Sequence, residues 1–168
     1  MNYKYFYKLE KWKYLIICHL KQNVIIKRKS GNMDDKFNLV KIQVRIADID
    51  GLNHVNNAVY LTFFELGRTN FFLKNIGIFD PEDVDFVVKH ADIEFKKPIH
   101  FLDNPIVKTW ISKIGNTSVV FSHEIFDEKN HNIYASGATV AVWVGKDGRK
   151  RAIPDSIREK ITELLVTS

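Results

Sequence analysis

The stretch from Ala58 to Asn75 constrains everything around it. It has no proline, and its apolar residues Val59, Leu61, Phe63, Phe64, Leu66, Phe71, Phe72 and Leu73 fall on most faces of a helix. Such a helix requires burial on nearly all sides, and at about 1.5 Å per residue it spans roughly 27 Å, enough to lie across a sheet of several strands. Asn56 or Asn57 is well placed as its N-cap, and Gly77 is suited to its C-terminal end. The sheet is supplied by the rest of the chain. Leu39, Val40, Ile42, Val44 and Ile46 read as one strand before the helix. Four more strands are predicted after it, at Val88–Lys96, Ile106–Lys113, Ser118–Phe126 and Tyr134–Val144, joined by short polar connections. Pro154-Asp155-Ser156 then opens a short amphipathic C-terminal helix. The order β-α-β-β-β-β predicts an α+β fold, one long central helix wrapped by an antiparallel sheet of about five strands. Val88–Lys96 alternates as a strand with one wet face does, and Ala135, Gly137, Thr139 and Ala141 present small side chains against which something can pack closely.

Charge separates the chain into two parts. Residues 1–32 hold eight basic residues and one acidic, a balance of +7, whereas from Met33 onward 17 basic residues face 19 acidic ones, or −2. The body of the protein therefore exerts no general pull on a phosphate backbone, and no nucleic-acid partner is expected. The apolar run Tyr14–Leu20 is far short of the roughly 20 residues that a membrane span needs, and no small-residue cleavage site follows it. Residues 1–35 are accordingly expected to be a basic extension, disordered or upstream of a true start at Met33, and residues 36–168 to form the folded domain. The single cysteine, Cys18, excludes an intrachain disulfide and a cysteine-based zinc site, which points to the cytoplasm. His90, His100, His123 and His131 have no metal-ligand spacing and are read as surface or cross-strand residues, so no metal is expected.

One segment carries a recognisable pattern. Arg45-Ile-Ala-Asp-Ile-Asp-Gly-Leu-Asn-His-Val-Asn-Asn-Ala-Val-Tyr60, followed by Glu65 and Arg68, resembles the R-x-x-D-x-D-x-x-G-H-V-N-N-x-x-Y signature of the 4-hydroxybenzoyl-CoA thioesterase-like family. The resemblance extends more weakly through Asp92-Ile-Glu-Phe95, Pro98, Ile114-Gly115, Gly137 and Ile153-Pro154, covering about residues 38–165. It implies a hot-dog fold and hydrolysis of an acyl-CoA thioester, with coenzyme A part of the substrate and no separate cofactor. The same core occurs in acyl-ACP thioesterases, and Asn53, standing where acyl-CoA members usually have glycine, leaves the carrier open between coenzyme A and acyl carrier protein. A non-catalytic acyl-CoA-binding protein is the competing class. The resemblance also implies a homodimer or homotetramer whose sites are shared between subunits, with Lys96, Lys97, Arg149, Lys150 and Arg151 either meeting the coenzyme A phosphates or forming a solvated charge run.

The chemistry fits the residues. A thiolate leaves without much help, so hydrolysis needs only an activated nucleophile and a site for the oxyanion. By resemblance, Asp50 is the general base or nucleophile and the Asn57 amide, at the positive end of a long helix, polarises the thioester carbonyl. Asp48 reads as a loop-ordering residue. His54 is a substrate contact, a second base or a structural residue of the capping loop. Asn53, Asn56, Tyr60 and Glu65 complete the expected substrate-binding set, with helix capping as the plain alternative for Asn56 and an i, i+3 pairing with Arg68 as that for Glu65.

Overall fold

The computed structural model describes residues 36–77 and 86–167, so the expectation for the basic extension lies outside the described residues. Five strands form a single antiparallel sheet: β1 (Asn38–Lys41), β2 (Phe86–Phe95), β3 (Pro105–Ile114), β4 (Ser118–Asp127) and β5 (Ile133–Trp143). Their spatial order is β1-β3-β4-β5-β2, which leaves β1 and β2 at the two edges. Helix α1 (Asn57–Asn75) follows β1 and lies on one face of the sheet, and helix α2 (Asp155–Glu163) closes the chain. This is the α+β hot-dog arrangement that the order of elements and the resemblance imply.

Three local expectations are corrected. The first strand ends at Lys41, although Ile42 and Val44 continue to point inward. Its partner β3 begins at Pro105, whose carbonyl takes the Ile42 N–H at 2.9 Å, and beyond that point no strand remains to pair with. Helix α1 buries one side only. Tyr60, Phe63, Phe64, Gly67, Arg68, Phe71 and Phe72 face inward, whereas Leu61 is 45% exposed on an outer stripe with Ala58 and Glu65. Strand β2, expected to have one wet face, is exposed along most of both, because it pairs with β5 alone and α1 reaches it chiefly through Phe72 on Phe86 and Tyr60 on Phe95.

Missing side chains bring helix and sheet together. A Cβ at Gly67 of α1 would stand 2.3 Å from Thr109 Oγ1, and one at Gly137 of β5 would stand 2.2 Å from the Asp92 carbonyl and 3.0 Å from the Phe64 ring. The small face of β5 thus receives Phe64. Under that ring lies His123, buried at 1% exposure and stacked on Phe64 with centroids 4.3 Å apart, so it is a cross-strand residue but not a surface one. Its Nδ1 lies 3.0 Å from Thr109 Oγ1 and its Nε2 lies 3.0 Å from Thr139 Oγ1. Arg68 Nη1 donates to the same Thr139 hydroxyl at 3.3 Å. A consistent proton arrangement runs from Arg68 through the Thr139 hydroxyl to Nε2, with Nδ1–H donating to Thr109.

Burial, with the Arg68 charge adding to it, lowers the His123 pKa from its ordinary 6.5 to about 3. A histidine depressed in this way binds fewer protons folded than unfolded, so its contribution to stability is present above pH 6.5 and is lost as the pH falls toward 3. Lowering the pH from 7 to 5 should therefore cost the wild type about 2 kcal/mol more than His123→Gln, as read from urea unfolding at the two pH values.

Candidate active site

The loop between β1 and α1 is held by Asp48. Its carboxylate takes the Arg45 N–H at 2.8 Å and the Arg45 guanidinium at 2.7 Å, and its carbonyl takes the Asn56 N–H at 2.8 Å. Burial opposes the charge on Asp48, yet the hydrogen bonds from Arg45 prevail and hold its carboxyl below the usual carboxylate range. A single bridge between Ile49 and Val55 then brings the two arms of the loop together. Asp48 orders the loop.

Asp50 stands at the start of the narrowed part. Its Oδ1 accepts the N–H groups of Leu52 and His54 at 2.8 and 3.4 Å, and its own N–H donates to the His54 carbonyl at 2.8 Å. The turn closes with the Asn53 N–H on the Asp50 carbonyl at 3.1 Å. Asn53 sits at φ +64°, in the left-handed region that glycine adopts freely and asparagine tolerates best among the other residues. The glycine usual at this place and the asparagine found here answer the same backbone demand.

At the end of the loop the Asn56 side chain accepts the Ala58 N–H at 2.9 Å, which makes Asn56 the N-cap of α1. The Asn56 carbonyl takes the Val59 N–H at 2.9 Å, leaving the Asn57 N–H as the first-turn donor that neither contact takes up. Asn57 also borders an open cavity of ≈ 290 Å³. Asp50, His54, Asn57 and Tyr60 line this cavity, so four of the seven expected site residues meet in one place. Tyr60 is fully buried and set edge to face with Phe95 at 5.0 Å. Burial raises its pKa, and a hydrogen bond from the Ile99 backbone only partly offsets that rise.

The other three stand apart from the cavity wall. Asn53 shapes the turn, Asn56 caps the helix, and Glu65 lies on the outer stripe of α1. Arg68 turns inward to Thr139 instead of pairing with Glu65, whose charge reaches it only at longer range. The far wall is built by the end of β2 and the residues after it, Phe95, Lys96, Lys97 and Pro98. Lys96 and Lys97 stand out in the sequence as basic residues, but Phe95 was not legible there as a site residue. Its alternation with Ala91 and Ile93 was the available signal, since it places Phe95 on the helix side of the sheet. Among the described residues no group of three or more His, Cys, Asp or Glu side chains could hold a metal ion, and no helix is long and apolar enough to cross a membrane.

Residues 44–161 match the model of the thioesterase-like superfamily. Among curated proteins, the chain is 31% identical over 141 residues to the chloroplastic acyl-acyl carrier protein thioesterase ATL3 of Arabidopsis thaliana, covering 82% of this chain and 74% of that protein. It is 26% identical to the long-chain acyl-CoA thioesterase FadM of Escherichia coli, covering 74% and 97%. Among solved structures, a predicted thioesterase from Bacillus stearothermophilus superposes with a TM-score of 0.72 at 28% identity, covering 79% and 98%. A Thermus thermophilus thioesterase complexed with coenzyme A and Zn gives 0.65 at 33% identity, covering 73% and 95%.

The left-handed turn at position 53 makes a direct prediction. Asn53→Gly should leave stability within about 1 kcal/mol of the wild type, while Asn53→Val should cost about 1–2 kcal/mol for forcing a β-branched residue to positive φ. Urea unfolding of the two variants beside the wild type reads this out.

Proposed function

The chain belongs to the thioesterase-like superfamily, and on that premise we propose that this thioester hydrolase cleaves acyl-CoA to the free acid and coenzyme A, with Asp50 as its catalytic carboxylate. The observation that carries the reading is the single cavity onto which Asp50 and the N-terminus of α1 at Asn57 both open. The thioester carbonyl would sit against the Asn57 amide, where the unpaired donor and the positive end of the helix favour a developing oxyanion. Asp50 would then activate a water molecule or attack the carbonyl itself, and the thiolate would leave unaided. The two backbone N–H groups on Oδ1 hold the carboxylate in place, which suits either role. Lys96, which pairs with Glu94 at 3.3 Å, and Lys97 on the far wall of the cavity would supply positive charge for a phosphate-bearing carrier arm. The single cysteine supports placing this activity in a reducing compartment such as the cytoplasm.

A second reading has its own support. Two of the curated relatives are acyl-acyl carrier protein thioesterases. Coenzyme A and acyl carrier protein present the same pantetheine thioester, so the site chemistry serves both and the carrier is decided by contacts outside the cavity.

The protein is proposed to work as a homodimer or homotetramer. Strand β2 supports this, being a ten-residue edge strand with Val87, Val88 and Phe95 exposed. A long open edge of this kind is a template for pairing with a second copy, and a closed symmetric pair would cover it. Light scattering during gel filtration should give twice or four times the chain mass, and a monomer at micromolar concentration would count against shared sites.

Thiol release from a panel of acyl-CoA thioesters, and from the same acyl groups on acyl carrier protein, tests the reaction. Asp50→Asn should lower turnover by about two orders of magnitude or more with the fold intact by circular dichroism. Binding of acyl-CoA without turnover by the wild type would make the protein a binding module instead. Equal activity of wild type and Asp50→Asn would remove Asp50 from the mechanism.

A further inference from the structure

His54 lines the cavity beside Asp50, but its ring is steadied from outside its own loop. It meets the His100 ring edge to face, with centroids 5.0 Å apart and planes at 78°. His100 stands in the turn between β2 and β3, and that turn is internally braced. Asp103 Oδ2 accepts the His100 N–H at 2.8 Å and lies 3.6 Å from His100 Nδ1, and the Asp103 N–H donates to the His100 carbonyl at 3.1 Å. A further bond ties this turn to the Asp50 loop, from the Val55 N–H to the Ile99 carbonyl at 2.8 Å. The backbone of His54 in turn holds Asp50, through both its carbonyl and its N–H.

We infer that His100, oriented by Asp103, is a positioning residue that holds the His54 imidazole against the cavity wall next to Asp50. This rests on the hydrolase reading of the same site. Without the His100 ring, the half-buried His54 side chain is free to distribute over several rotamers. The fraction of molecules with a correctly built site then falls, which lowers kcat and leaves KM largely unchanged. The contact is made by ring against ring, so an aromatic replacement at position 100 preserves it and a small one does not.

The test is a double-mutant cycle on the full chain. His100→Ala should lower kcat by about tenfold or more with KM little changed, His100→Phe should return most of that loss, and His100→Ala should add nothing further in a His54→Ala background. In parallel, the His54 ring proton resonance, assigned through its absence in His54→Ala, should shift in His100→Ala and move back in His100→Phe. An undiminished His100→Ala effect in the His54→Ala background would overturn the inference, as would wild-type kcat in His54→Ala or an unmoved His54 resonance. Wild-type protein that turns over no thioester would end the hydrolase reading alone, because the resonance still decides whether His100 positions His54.

Discussion

The structure depends on how closely α1 can approach the sheet. At two points only hydrogen occupies the space where a side chain would stand, Gly67 facing Thr109 and Gly137 facing Phe64. That approach lets Phe64 stack on His123 and lets Arg68 reach Thr139. A buried guanidinium and a buried imidazole would each be costly alone, and their link through the Thr139 hydroxyl, with Thr109 on the other imidazole nitrogen, offsets that cost. The same contacts fix the helix along its axis, and with it the position of its N-terminus.

The cavity is assembled from two segments that are distant in sequence. The Arg45–Asn57 loop brings Asp50, His54 and Asn57, and the chain leaving β2 brings Phe95, Lys96 and Lys97. They are joined by the Val55–Ile99 hydrogen bond and by the Tyr60–Phe95 and His54–His100 ring contacts. Since β2 is also the exposed edge of the sheet, whatever pairs with that edge also bears on the cavity wall.

What could be read in the sequence followed from contiguity. Asp50, His54, Asn57 and Tyr60 lie within eleven successive residues of one strand-loop-helix unit, so their spacing alone brought them together. Helix α1 and the four later strands were legible from period and punctuation, with no end displaced by more than two residues. The misses were tertiary. The end of β1 depends on where β3 begins, and the exposure of β2 depends on the strand order, neither of which is a local property. Composition overstated the burial of α1, because apolar residues around a helix do not reveal that one stripe is left uncovered. His123 could have been placed, since it alternates with Val119, Phe121 and Ile125 on the inner face of β4, but a titratable residue in that register is easily assigned outward. Asn53 departed from the familiar pattern in identity, and only its positive φ shows that it stands in a conformation that glycine adopts freely.

The two aspartates of the loop are held in different ways. Asp48 bears the ionic tie to Arg45, while the Asp50 side chain accepts two backbone N–H groups through one oxygen. An amide at position 50 offers that same oxygen, so the loop has no structural need for a charge there. On the proposed mechanism, exchanging one oxygen for nitrogen at position 50 would remove the reacting carboxylate and leave the turn's hydrogen bonds in place.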